Sequence, residues 1–183
     1  MKFCSHCAHP VDWRIPAGDT LPRHVCSKCD TVHYVNPKLV VGAIVEHQGR
    51  ILLCRRAIEP RLGFWTLPAG FMENGESTSE GAARETLEEA CARIEVGELF
   101  TLIDVPHINQ VNLMYRARLI GTEFAAGDES LEVALFDEHE VPWDALAFRT
   151  ISLALRHYFD DRRIGRFGFH RCTLAPTSEP IRG

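Results

Sequence analysis

The 183-residue chain has no apolar run approaching the ~20 residues that cross a bilayer as a helix. The longest lies around Leu39 to Val45, so no membrane-spanning helix is expected. The opening residues, Met1-Lys-Phe-Cys-Ser-His-Cys7, contain no apolar h-region, so no secretory leader is expected and a cytoplasmic setting is. An excess of positive charge is also missing. Lys and Arg total 20 against 25 Asp and Glu, a net charge of -5. Broad attraction to nucleic acid is therefore not expected, although a local basic patch stays open. No internal repeat is visible. Apolar material is not scarce: 45% of residues are hydrophobic and 25% charged. That is enough for a core, and it excludes disorder as the general state. The length suits one domain, or one domain with a small appendage.

Four of the seven cysteines form two Cys-x-x-Cys pairs, Cys4/Cys7 and Cys26/Cys29. Two intervening residues let both sulfurs of a pair face one point, and four thiolates at tetrahedral positions suit a structural Zn²⁺. The spacing fits a zinc ribbon of two short hairpins over residues 1–35. Disulfides, ordinary buried thiols or a redox pair are the alternatives. Pro10, Pro16 and Pro22 argue for loops rather than the helix a redox pair begins. His6, His9, His24 and His33 lie close but are read as solvated, because four cysteines complete the shell. Cys54 and Cys91 read as packed thiols. Cys172 falls in the C-terminal tail.

Asn36-Pro37 punctuates the chain. Leu39 to Val45 reads as a buried strand, with a turn at Gln48-Gly49 and an antiparallel partner at Ile51 to Cys54. Gly63 to Gly70 is a short extended piece. Ser77 with Glu80 forms a capping box that opens a helix. Strands follow at Ile94–Asp104, Val111–Leu119 and Leu131–Phe136, then an amphipathic helix from about Thr150 to Arg162. The expectation is an α/β fold with a mixed sheet covered on both faces. A domain of residues 36–163 would be followed by a loosely held tail, 164–183.

The helix after Gly70 carries the chemistry. On a wheel of about 100° per residue with Glu85 at zero, Glu88 falls near 300° and Glu89 near 40°. Ala83, Leu87, Ala90 and Ile94 fall opposite, between about 140° and 200°. The helix is thus expected to bury the Leu87 side and present the carboxylates. Like charges at this spacing repel. A divalent cation, Mg²⁺ or Mn²⁺, removes the conflict. A solvated acidic face is the alternative. The glycine-rich loop Gly70–Gly75 brings backbone to the helix N-terminus, which favours anions.

Gly70, five residues, Glu76, seven residues, Arg84-Glu85 and then Glu88-Glu89 resemble the Nudix box, and Leu67-Pro-Ala-Gly70 before it is similar too. Thr86, Cys91 and Ala92 depart from the box at packing or helix-end positions. The resemblance implies a Nudix α/β/α sandwich and a metal-dependent hydrolase of a nucleoside diphosphate linked to another group. It implies that Glu85, Glu88 and Glu89 hold the metal and that Arg84 pairs with Glu76. One of the three glutamates, or a later one, would assist the attacking water. Glu129 and Glu132 are candidates for that later carboxylate, with exposed surface residues as the alternative. The carbonyl of Ala69 or Gly70 is a further candidate for the metal shell. Arg55, Arg56 and the Gly70 backbone are candidates for touching substrate. Phe64 and Trp65 are read as core.

A ribbon followed by such a domain resembles two groups. NADH pyrophosphatases, which also act on NAD-capped RNA, carry a Ser-Gln-Pro-Trp-Pro-Phe-Pro-like segment that Phe100–Gln110 lacks. The FAD and ADP-ribose pyrophosphohydrolases are more similar at Gln110–Ala117. The sequence therefore favours ADP-ribose or FAD, cleaved to AMP, over NADH or NAD-capped RNA. A non-catalytic ligand sensor or nucleic-acid module is the reading from another class. Against it, all the carboxylates are present. A homodimer stays open.

Overall fold

A computed structural model describes residues 1–176. The chain divides between Pro37 and Lys38 into two compact units. The first is a three-stranded antiparallel sheet of β1 (Val11–Arg14), β2 (Arg23–Cys26) and β3 (Val32–His33). The second is built on β4 (Lys38–His47), β5 (Arg50–Arg56), β6 (Trp65–Thr66), β7 (Ala69–Phe71), β8 (Ile94–Val105), β9 (Gln110–Leu119), β10 (Ser130–Phe136) and β11 (His170–Thr173). Its helices are α1 (Thr78–Ala90) and α2 (Arg149–Ile164). The strands run in the order β10-β5-β4-β9-β8-β11, with β6 on β5 and β7 on β4. β4 pairs parallel with β9 and antiparallel with β5 and β7. The sheet is therefore mixed.

The apolar run of β4 is continuous because both its faces are covered. Ile44 with Ile51 and Leu53 of β5 packs against Ile151, Ala154, Leu155, Tyr158 and Phe159 of α2. Ala43 and Val45 with Leu52 and Cys54 pack on the other face with Ala90 and Ala92, at the end of α1. Alternate residues of one strand feed two cores. The β4–β5 turn is tight because Gln48 (φ 51°) and Gly49 (φ 81°) both adopt left-handed backbone, as a two-residue hairpin turn requires. β7 lies so close to β4 that a Cβ on Gly42 would sit 2.4 Å from Ala69 Cβ and 2.5 Å from the Pro68 carbonyl. This contact sets the loop that leads into α1.

Residues 164–176 are not a loose tail throughout. β11 adds a parallel strand to β8, Phe167, Cys172 and Leu174 pack on the α2 core, and Arg149 Nη1 donates to the Ala175 carbonyl at 2.9 Å. Residues 177–183 lie outside the described residues. The buried side of α1 is also rotated from the expected one, keeping Ala90 buried and Glu88 exposed. Glu85 and Glu89 are only 9% and 6% exposed, while Leu87 is 48% exposed. The buried arc runs through Ala82, Glu85, Thr86, Glu89 and Ala90. Thr86 fits an apolar position because its hydroxyl donates to the Ala82 carbonyl at 2.8 Å, the internal satisfaction a buried hydroxyl needs.

The helix ends where Cys91 takes a left-handed conformation (φ 49°, ψ 24°) and donates its N–H to the Leu87 carbonyl. It is exposed rather than packed, and a side chain there carries strain that glycine avoids. Cys91→Gly is therefore expected to stabilise the domain by about 0.5–1 kcal/mol. Thermal unfolding should shift upward by about 1–4 °C; an unchanged or lower midpoint would contradict the strain.

Candidate active site

Each cysteine pair sits on a tight turn of the same design. Ala8 (φ 58°) donates to the Cys4 carbonyl at 2.9 Å, and Asp30 (φ 53°) to the Cys26 carbonyl at 3.0 Å. The four sulfurs all lie within 4.8 Å of one another. Cys4–Cys29, Cys7–Cys26 and Cys7–Cys29 are separated by 3.7, 3.5 and 3.5 Å. Tetrahedral Zn–S bonds of about 2.3 Å place sulfurs about 3.8 Å apart, so the donor set fits zinc. None of the seven cysteines is in a disulfide. His33 is not simply solvated. Its Nε2 lies 3.3 Å from Cys4 Sγ, a contact from outside the tetrad of the kind that orients ligands. His24 stacks at a tilt on Trp13.

The carboxylate site is built by the loop from β7 into α1. Ser77 caps the helix, accepting from Glu80 N, while the Glu80 carboxylate accepts from Ser77 N. Glu76 reaches back along the helix and accepts two bonds from Arg84, Nε at 2.9 Å and Nη2 at 2.8 Å. It also accepts from Glu73 N at 2.7 Å. Arg84 Nη1 donates to Glu85 at 2.8 Å and Glu88 at 3.0 Å, and Nη2 to the Phe71 carbonyl at 3.2 Å. Every donor of the guanidinium is engaged. Two glycines make the approach feasible. A Cβ on Gly70 would stand 2.3 Å from the Glu85 carboxylate, and one on Gly81 2.7 Å from Glu76 Oε1.

Charge is held out of balance at this place. The Arg84 guanidinium holds Glu76 down to about 2. Burial raises Glu85, against the pull of Arg84. Burial pushes Glu89 up to about 8, opposed by the hydrogen bond from Ala69 N at 3.0 Å and reinforced by the neighbouring Glu85 charge. Glu85 and Glu89 are buried with raised proton affinity, and the half-exposed Glu88 shares Arg84 with Glu85. Their hard oxygens are the donor type that Mg²⁺ or Mn²⁺ takes, while the close ligand grouping found among the described residues is the four cysteines.

The remaining candidates separate. Glu129 is exposed, yet near enough for its charge to raise both Glu85 and Glu89. Glu132 turns away and pairs with Arg55 at 3.6 Å. Arg55 also donates to the Gly63 carbonyl. Arg56 lies near enough to lower Glu89, with its Nε on the Pro60 carbonyl and its guanidinium over Phe148 at 5.2 Å. Trp65 packs edge-on against Phe136 beside the α2 core. The sequence reading missed Gly127, whose N–H donates to the Glu89 carbonyl at 3.1 Å. It also missed the Thr78–Tyr115 hydroxyl pair at 2.5 Å.

Two outcomes follow. Arg84→Ala strips countercharge from Glu76 and Glu85, and is expected to lower unfolding free energy by about 2–3 kcal/mol in urea titration, allowing for partial exposure. A change below about 0.5 kcal/mol would contradict the hub. Elemental analysis of the reduced protein should find about one zinc per chain; folded protein with none would contradict the ribbon.

The NUDIX domain family profile matches residues 36–156, and the Nudix N-terminal zinc-ribbon profile matches residues 2–35. A crystal structure of a NUDIX hydrolase from Nitrosomonas europaea is 54% identical. The match covers 95% of this chain and 99% of that one, with a TM-score of 0.92. An ADP-ribose pyrophosphatase of Methanocaldococcus jannaschii is 32% identical over 115 residues, 60% of this chain and 67% of its own length. The NAD-capped RNA hydrolase NudC of Chromobacterium violaceum is 28% identical over 162 residues, 87% of this chain and 58% of its own length. With the carboxylates of α1 locked to the Gly70 loop and the profile covering most of the chain, this protein belongs to the Nudix hydrolase family.

Proposed function

We propose that the chain hydrolyses the pyrophosphate bond of a nucleoside diphosphate linked to another group, with ADP-ribose or FAD as substrate and AMP as product. The observation that carries this reading is the pair of buried carboxylates, Glu85 against the Gly70 backbone and Glu89 on the Ala69 N–H, with Glu88 sharing Arg84 with Glu85. In this reading the three glutamates hold Mg²⁺ or Mn²⁺. A cation held there would supply charge to neutralise the pyrophosphate and to acidify the attacking water. Glu129, on the loop that bonds the end of α1, assists that water by taking its proton. The water oxygen bonds to one phosphorus as the bridging P–O bond breaks. Arg56, beside Glu89, steadies phosphate charge. Gly70 keeps the loop backbone close, and Arg84 with Glu76 keeps that loop on the helix. Position and charge stabilisation supply the rate.

NADH or NAD-capped RNA is the second reading. It is favoured by the Chromobacterium relative, whose match spans 87% of this chain. Against it, residues 100–110 run through β8 and a short turn at Pro106–Ile108 without the expected Trp-containing segment.

The test is product analysis with Mg²⁺ across ADP-ribose, FAD, NADH and NAD-capped RNA. AMP is expected from ADP-ribose or FAD, and Glu89→Gln should lower turnover about 100-fold or more with unfolding unchanged or improved. Preference for NADH or capped RNA would favour the second reading. Full activity in the variant would overturn the metal assignment.

A further inference from the structure

The loop between β9 and β10 meets α1 at a point where a side chain does not fit. A Cβ on Gly127 would lie 1.7 Å from the Glu88 carbonyl oxygen and 2.9 Å from its carbon. The obstacle is backbone, so no rotamer change relieves it. Gly127 does not adopt a left-handed φ; its requirement is space alone.

That close approach has two results. The last carbonyls of a helix lack intrahelical partners, and here the loop supplies them: Gly127 N donates to Glu89 O at 3.1 Å and Ala125 N to Ala90 O at 2.9 Å. The same loop then fixes Glu129. Ser130 N donates to the Gly127 carbonyl at 3.0 Å, and Ala57 N to the Glu129 carbonyl at 2.8 Å. The Glu129 backbone is thus tied between the final turn of α1 and the end of β5. Its carboxylate stays exposed, two residues beyond the bond from Gly127 N to the Glu89 carbonyl.

We propose that Gly127 is a positioning residue for hydrolysis: by having no side chain, it lets this loop seat on the end of α1 and hold Glu129 against the helix carboxylates. The proposal rests on the reading above in which Glu129 works with that cluster. Ordinary contact for a Cβ begins near 3.4 Å, so an alanine must push the loop outward by well over an ångström. Glu129, two residues on, moves with it. A misplacement of about 1 Å is enough to cost on the order of 100-fold in rate.

The test is a double-mutant cycle in the full chain, assayed with Mg²⁺ on ADP-ribose. Gly127→Ala is expected to lower kcat at least about tenfold, with KM changed less than about twofold because Glu129 acts on the water rather than on substrate binding. In a Glu129→Gln background the same substitution should cost less than about twofold. Equal losses in both backgrounds would make Gly127 merely structural and overturn the proposal. A Glu129→Gln enzyme with unchanged kcat would instead refute the role of Glu129, while leaving the metal assignment of the helix glutamates standing.

Amide hydrogen exchange gives a readout independent of turnover. The Ala125 and Gly127 amides should be protected in the parent and in Glu129→Gln, and the amides at 125 and 127 should exchange faster in Gly127→Ala. Unchanged protection would overturn the proposal. If Gly127→Ala folds poorly, inserting one glycine between Gly127 and Asp128 leaves the seat intact and lengthens only the tether. The insertion should reproduce the loss in kcat with no fall in Tm; an unaffected kcat would overturn the proposal.

Discussion

The carboxylate site depends on one guanidinium. Arg84 stands where the loop from β7, α1 and three acidic side chains meet, and all five of its donors are taken. Without that fork, Glu76 and Glu85 would face each other uncompensated. Lysine has the charge but not the planar geometry to join three carboxylates and a carbonyl at once. The glycines at 70 and 81 exist for the same junction, since each leaves the space a carboxylate occupies. Glu89 lies beyond the reach of Arg84, bonded to Ala69 N instead. It is the carboxylate most short of positive charge, and a divalent cation would meet that need.

Much of the fold was legible because its causes are local. The continuous apolar run of β4 announces a strand covered on both sides, and the capping box at Ser77 fixes the start of α1 within a residue. The box spacing of Gly70, Glu76, Arg84, Glu85, Glu88 and Glu89 brought the site residues together before any contact was known. The orientation of α1 was not legible. A hydropathy wheel sends Leu87 inward and all three glutamates outward, whereas α1 buries Glu85 and Glu89 and exposes Leu87 with Glu88. Departures from the hydropathy pattern are expected where a site is built.

Other features were hidden because they depend on distant partners. A register shift between Ser130 and Glu132 sends Glu132 to Arg55. β11 has four residues, of which Cys172 is the one that packs on the core, too little periodicity to announce a strand. Gly127 is one glycine in an irregular loop until the Glu88 carbonyl is seen beside it. The ribbon was readable from spacing alone, since the paired cysteines and the turns beneath them form one repeated local unit. The contact of His33 with Cys4 was not, because it crosses 29 residues of sequence.

The central claim is that the buried carboxylate side of α1 is a divalent-cation site. Titrating the full chain with Mn²⁺ and following free ion by electron paramagnetic resonance tests it most directly, without a substrate. The account predicts saturable binding that Glu85→Gln weakens by about tenfold or more, while the zinc content stays the same. Equal Mn²⁺ affinity in parent and variant would contradict it.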